Sequence, residues 1–395
     1  MNARRTGTIA LALVAGLMAS CGAGRDGESG HQVVSRSFEG SGALLVTLVR
    51  EAPDQPTVMA ADARGVVVSG RRGAAISYTA DGHEQWRIDP GVDAGSRVDP
   101  VALDADFVVV PVFDLPTGSG VLALERSTGR TRWEAPVAQP KAVAIGSTAD
   151  GSKVVGVVER SGTVTVLRAD DGAIITQITL GFGHLIGAPH LWIRDGRIVV
   201  AWAHRDAAEI RVLDERTGEI EWAWSAPGLG AAPALDRDRL IVVENTVVEP
   251  EVVRAEIRAL DLATGAMQWS RPVRGGFLPT IPVAISGGRA VVVDLEGRFT
   301  AVDARTGELL WHRRTRLVQL EAEPLLTPTV AAMTTYGTGL VTVSARTGAP
   351  IRNDDPGPVQ TVVTIEDSTT AADGSILLLV RRPEGEGEIW WLRGP

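Results

Sequence analysis

At 395 residues, with 44% of them hydrophobic, the chain is long enough to bury a large core, and its 44 glycines and 22 prolines suit short strands joined by many turns. A formal net charge of -9 without a basic block excludes a nucleic-acid binder. Cys21 is the only cysteine, which excludes an intramolecular disulfide.

The first segment reads as an address. Arg4 and Arg5 form a short positive region, and residues 8–19 are apolar but too few to span a bilayer comfortably. Met18, Ala19, Ser20 and Cys21 follow, so residues 1–20 have a signal-peptide layout with small residues before the cut. The order resembles a bacterial lipobox, with Met18 where leucine is usual. That resemblance implies that Cys21 becomes the lipidated first residue of the mature chain; an ordinary signal peptide with an incidental cysteine is the alternative. Several acyl chains on one cysteine anchor a protein stably. Residues 21–37, rich in glycine, serine and charge, read as a flexible tether, and 38–395 as one domain. The expected location is extracytoplasmic, on the cell membrane or on an outer membrane, with the lipid as the only membrane contact.

The remainder is a repeat, and repeats decide the fold. An eleven-residue phrase is most complete at 212–222, where Asp214, Thr217, Gly218 and Trp222 hold its fixed slots. It returns at 259–269 with Asp261, Thr264, Gly265 and Trp269, and at 301–311 with Asp303, Thr306, Gly307 and Trp311. Its turn glycine also falls at Gly82, Gly129, Gly172 and Gly348, giving steps of 41 to 47 residues. Trp86 and Trp133 complete the tryptophan series; Thr176 and Arg352 take that slot in the third and seventh repeats.

A β-branched strand precedes each phrase, as at 65–69, 197–201 and 289–293. Earlier still comes a short strand led by proline: Pro56, Pro100, Pro140, Pro189, Pro233, Pro282, Pro328 and Pro358. Proline is tolerated as the first residue of a strand. Four antiparallel strands per repeat are the content of one propeller blade. Seven phrases are visible, yet 374–380 and 388–392 match the second and third strands of one blade more. Its missing outer strand can come from 43–49, which closes the ring and removes exposed edges. The expected fold is therefore all-β, an eight-bladed β-propeller of four-stranded antiparallel blades, the last closed by an N-terminal strand. A seven-bladed ring is the alternative.

The chemistry of the phrase is local. Asp214 can accept bonds from the turn backbone, as can Thr217 more weakly. Gly218 supplies the positive φ of a tight turn. Trp222 is a wedge between neighbouring sheets, burying roughly 150–250 Å².

The phrase Ala-x-Asp-x-x-Thr-Gly-x-x-x-Trp resembles the PQQ-type repeat of quinoprotein dehydrogenases, whose propellers have eight blades. The likeness covers about residues 43–395. Length, lipobox and absence of extra domains look most like the BamB lipoproteins of the outer-membrane β-barrel assembly machinery. The resemblance implies a non-enzymatic scaffold for other envelope proteins, in envelope assembly or maintenance. A glycan- or small-molecule-binding propeller is the alternative, and a PQQ-dependent oxidoreductase a distant third. A quinoprotein would carry a calcium site, an Asp base and often adjacent cysteines; the cysteine pair is absent and no calcium ligands can be assigned, so neither PQQ nor another cofactor is expected. His31, His83, His184, His190, His204 and His312 lack metal-ligand spacing, so no metal is expected. No serine sits in Gly-x-Ser-x-Gly. Arg216, Arg305 and Arg346 repeat at one turn slot and read as exposed turn decoration before an anion-binding ring.

Strand alternation puts the Asp/Gly and Thr-Gly turns on one face, where they are short and uniform. The opposite face carries the variable segments 113–120, 203–209, 244–256, 312–328 and 381–388. Function sits on variable loops held by a rigid scaffold, so partners are expected there.

Overall fold

The computed structural model describes residues 34–36, 45–50, 56–70, 75–80, 83–88, 101–115, 118–181, 189–203, 207–227, 233–249, 252–277, 283–315, 324–335, 339–350, 364–370, 376–381 and 387–393. The signal segment 1–20, Cys21, Gly82, Pro100, Pro282, Arg352 and Pro358 lie outside them.

Every regular element among the described residues is a strand, and the strands form eight antiparallel sheets. Six sheets have four strands in sequence order, at 56–88, 102–136, 140–179, 190–227, 234–274 and 284–314. These are blades 1 to 6. Blade 7 has three described strands at 325–344, and a bridge between Val343 and Pro350 begins a fourth.

Blade 8 joins the two ends of the chain. Its own strands are Thr364–Thr370, Ile376–Arg381 and Gly387–Arg393. The fourth is Leu45–Arg50, in register from Leu45 opposite Arg393 to Arg50 opposite Glu388. The expected N-terminal closing strand is thus present. Thr364–Thr370 in turn packs against Pro56–Asp62 of blade 1, which closes the ring. A fifth strand, Val34–Arg36, adds to Leu45–Arg50. The segment read as tether, 21–37, therefore overlaps the sheet at its end, because the outer edge of Leu45–Arg50 is free to take another strand.

One proline reading is corrected. The inner strand of blade 7 is Leu325–Leu326, and Pro328 falls in the turn after it, not at the strand's start. Thr327 organises that turn: its hydroxyl accepts from Val330 N at 2.9 Å, and its own N–H donates to the Val330 carbonyl at 2.8 Å. Proline, without an N–H to satisfy, fits there.

The second strands are buried on both sides because each blade lies between two others. Val66, Val67 and Val68 are wholly buried, as are Ile198, Val199 and Val200. Core clusters form across the seams: Trp133 and Val109 of blade 2 pack with Val143, Val155 and Leu167 of blade 3. No blade buries both faces alone, so stability is a sum over neighbouring seams.

The phrase makes those seams. Asp214 Oδ1 accepts from the N–H groups of Arg216 and Thr217 at 2.9 and 2.8 Å, and Asp261 and Asp303 repeat the pattern. Gly218, Gly265 and Gly307 have φ of 71°, 69° and 71°. Each tryptophan then reaches into the next blade's turn. The indole N–H of Trp86 donates to the Arg126 carbonyl, Trp133 to Ala169, Trp222 to Leu262, Trp269 to Ala304 and Trp311 to Ala345, at 2.7 to 3.1 Å. Where Thr176 replaces tryptophan, Ile178 covers Gly218 instead, and Glu215 reaches back to accept from Ala149 N at 3.1 Å.

Candidate interaction face

The phrase residues spend their polar groups inside the turns and seams, so they are architecture. Arg216, Arg305 and Arg346 are exposed at their turns. Among the described residues no group of three His, Cys, Asp or Glu is arranged to hold a metal ion. His184 and His204 lie outside the described residues, and His83 and His312 are exposed.

The opposite face departs from expectation in two of its five segments. Segment 244–256 is not a loop. Strands Arg239–Glu249 and Val252–Asp261 run on as one hairpin, with Val247 opposite Val253. The β-branched run Val247, Val248, Val252 and Val253 continues the ladder that the acids around Pro250 seemed to end. Segment 113–120 is likewise largely strand, with Val112 opposite Gly120 and Leu115 opposite Gly118. In the other three, Ala203 pairs with Ala208, His312–Arg314 ends an outer strand, and Arg381 pairs with Gly387. Residues 204–206, 316–323 and 382–386 lie outside the described residues.

Among the described residues, the blade 5 hairpin is the longest pair on this face. Its first strand has 11 residues; the matching strands Arg197–Ala203 and Arg289–Val293 have 7 and 5. All three start opposite the aspartate of their phrase. At about 3.4 Å per residue, the excess carries the hairpin on the order of 14–20 Å beyond its neighbours.

Charge secures its base. Glu244 and Glu256 stand directly opposite each other. Like charges so placed destabilise a ladder. Arg258 resolves the conflict by pairing with Glu244 and, at 2.8 Å, with Glu256. Ser270 also donates to Glu256 at 2.9 Å. The Arg258 bond, then the Ser270 bond, hold the Glu256 carboxyl below its ordinary pKa. Asn245 Nδ2 donates to the Phe277 carbonyl at 2.9 Å and ties the hairpin to the connection leading into blade 6.

Related arrangements flank it. In blade 4, Arg211 pairs with Glu209 at 3.3 Å, donates to the Leu180 carbonyl at 3.0 Å and lies 5.1 Å over the Trp202 ring. In blade 6, buried Asp294 accepts from Glu296 N and Arg298 N at 2.9 and 2.8 Å. Burial outweighs those bonds and raises its pKa. On the innermost strand of blade 4, His190 stacks on Trp192 with ring centroids 5.8 Å apart, and desolvation lowers its pKa to about 4. Sequence reasoning missed these pairs. The signal was Glu-Ile-Arg at both 209–211 and 256–258, at the same distance before the turn aspartate.

Ring, turn chemistry and repeat together define a β-propeller built from PQQ-type repeats. The sequence model of the family described as "Outer membrane protein assembly factor BamB" matches residues 28–201 and 206–373, and the chain belongs to that family. Among its relatives is the outer membrane protein assembly factor BamB of Moranella endobia, 27% identical over 290 residues, covering 69% of this chain and 70% of that protein. BamB of Yersinia pestis is 22% identical over 254 residues (59% and 62% of the two chains), and that of Salmonella typhimurium 25% over 251 (60% and 63%). The matches thus span less than two thirds of the latter two. Among solved structures, BamB from Moraxella catarrhalis superimposes with a TM-score of 0.58 at 19% identity, covering 91% of this chain and all of the other. The computationally designed Ika8 protein does so with 0.61 at 15% identity, covering 92% and 100%. At such identities these two structures speak for the fold.

Proposed function

We propose that this protein is a non-enzymatic, lipid-anchored extracytoplasmic scaffold that holds other envelope proteins on its irregular face during outer-membrane protein assembly. The projecting hairpin of blade 5 carries this reading. Its two strands run on past those of the neighbouring blades, from a base braced by Arg258, and so offer a ledge beyond the ring. A rigid element loses little entropy on binding. The names of the relatives, outer membrane protein assembly factors, support the setting. The layout of residues 1–20 as a signal peptide, Cys21 as the lipidated residue and the following residues as a tether supports delivery and anchoring. The reading assigns no cofactor, PQQ included, and no catalytic residue.

The experiment replaces 247–253 by Asn-Gly, a two-residue hairpin turn that leaves Thr246 opposite Arg254 and so keeps the register of the base. Affinity capture from solubilised membranes is then compared with the intact protein. The expected result is loss of a stoichiometric envelope-protein partner with an unchanged melting temperature. Undiminished capture would sink the docking role of the hairpin. Recovery of a tightly bound saccharide, with no protein partner from either form, would favour a ligand-binding propeller instead. Cys21→Ser should abolish acyl labelling and membrane association.

A further inference from the structure

A second feature lies on the other face, where turns of blades 1 and 2 meet. Its floor is Arg126. That slot, opposite the end of the preceding blade's outer strand, is buried in blades 2 to 7 and holds Ala169, Glu215, Leu262, Ala304 and Ala345 in the others. Arg126 is only 3% exposed. Its Nη2 donates to Asp62 Oδ1 at 3.1 Å, one Nη1 bond reaches Ser77 at 3.5 Å, and Nε has no acceptor. Alanine fills the slot adequately in other blades, and a buried ion pair is a weak source of stability. The guanidinium is therefore surplus to the seam.

Above it opens a cleft of about 450 Å³. Arg64, from a turn of blade 1, and Arg132, from the outer strand of blade 2, line it. Arg64 donates to the Ala105 carbonyl, and Arg132 lies 5.4 Å over the Phe107 ring. Neither has a carboxylate within ion-pair distance among the described residues. The acids of the cleft are engaged: Asp106 pairs with Lys153 at 3.2 Å, and Glu125 accepts from the Thr128 hydroxyl. In a chain of net charge -9, three guanidiniums converge on one concave site.

We propose that this cleft binds a carboxylate-bearing ligand. Guanidinium groups match carboxylates with paired, charge-assisted hydrogen bonds. Arg64 and Arg132 supply the accessible donors, and Arg126, paired with Asp62 but with its Nε unsatisfied, lies beneath them. Gln85, also in the lining, adds a neutral polar group. The volume suits a small molecule or a short stretch of polypeptide. The carboxylate can come from an acidic side chain of a polypeptide or from an acidic sugar.

Calorimetric titration of the full chain at low salt separates the sources. The probes are acetyl-Ala-Glu-Ala-amide against its Gln counterpart, and glucuronate against glucose. At least one acid is expected to bind with one-to-one stoichiometry, at least tenfold more tightly than its neutral counterpart. Binding of the peptide alone identifies a polypeptide source, and of glucuronate alone a sugar source. Arg64→Gln and Arg132→Gln should each weaken binding about tenfold without moving the melting temperature, since both residues are exposed. Arg126→Ala should remove binding, but it also unpairs Asp62, so the exposed variants decide. No binding of either acid at millimolar concentration, equal binding of the neutral probes, or undiminished binding by the double variant overturns the proposal. Replacing 247–253 should leave this binding intact, so its outcome is independent of the docking face.

Discussion

Trp269 of blade 5 lies over Gly307 of blade 6, and its indole N–H donates to the Ala304 carbonyl at 3.1 Å. A Cβ at Gly307 would stand 2.5 Å from the ring. The same contact joins Trp86 to Gly129, Trp133 to Gly172, Trp222 to Gly265 and Trp311 to Gly348. Glycine is thus required twice, by its φ and by the ring. Gly307→Ala should cost about 2–4 kcal/mol, combining backbone strain with overpacking. Gly151, with φ of 85° but open space around it, isolates the backbone contribution, and Gly151→Ala should cost about 1 kcal/mol. Denaturant unfolding checks both. Equal losses would mean that the ring contact is not what demands glycine.

Arg258 neutralises two glutamates that face each other across a ladder. Arg258→Gln should leave Glu244 and Glu256 repelling at the hairpin base. A loss of about 1–3 kcal/mol follows from an unpaired, half-buried charge. Hydrogen exchange should quicken in Arg239–Glu249 and Val252–Asp261 before the rest of the ring. The double variant Arg258→Gln, Glu244→Gln should recover part of that protection; no recovery would show that the arginine acts by packing alone.

His190 sets the acid side of the stability profile. Its folded pKa, about 4, lies below the ordinary 6.5, so the unfolded chain takes up the proton first. Its contribution is therefore complete above pH 6.5 and is lost as pH falls towards 4. Discounted for its partial exposure, the loss should be about 1–2 kcal/mol. His190→Gln should flatten the profile over that window in denaturant titrations. Below it, Asp214, Asp261 and Asp303, whose turn hydrogen bonds depress their pKa values, contribute stability above pH 3.8 that fades as pH falls through their lower folded values. His190→Gln should leave this second decline in place.

Leu45–Arg50 completes blade 8. Removing residues 1–50 should expose the Gly387–Arg393 edge and leave the ring with an open blade. Free edges template association. Sedimentation should show self-association at micromolar concentration, with a melting temperature lower by several degrees. A monomer of unchanged stability would show that the closing strand is dispensable.

The ring was legible because each blade repeats one turn chemistry: Asp214, Asp261 and Asp303 announce the same local hydrogen bonds wherever they occur. Even the closing strand could be found, as an apolar run at 43–49 with no partner nearby. The hairpin of blade 5 was missed because Pro250 and its acids look like a break, yet Glu249 is itself in the strand, opposite Val252, and the ladder carries on up to it. Pro328 misled in the same way, since a proline suits a strand start and a turn equally. Arg126 could not be recognised as buried from its own identity. Its slot had to be compared with Ala169, Ala304 and Ala345 before the charge stood out. Pairings such as Glu244 with Glu256 depend on register, which one strand cannot report.

The partnership of Leu45–Arg50 with Gly387–Arg393 also concerns time. A polypeptide grows from its N-terminus, so this strand is among the first to be made, and its mate among the last. Contacts of such long sequence separation form slowly. Blades 1 to 7 can assemble by local hairpins, while an apolar segment waits unsatisfied at the head of the chain. Until Gly387–Arg393 has been made, the nascent protein is an open arc whose strand Leu45–Arg50 lacks its mate, exposed to mispairing. Closure of the circle is therefore a late, all-or-none step, and truncation at either terminus should be felt at the opposite one.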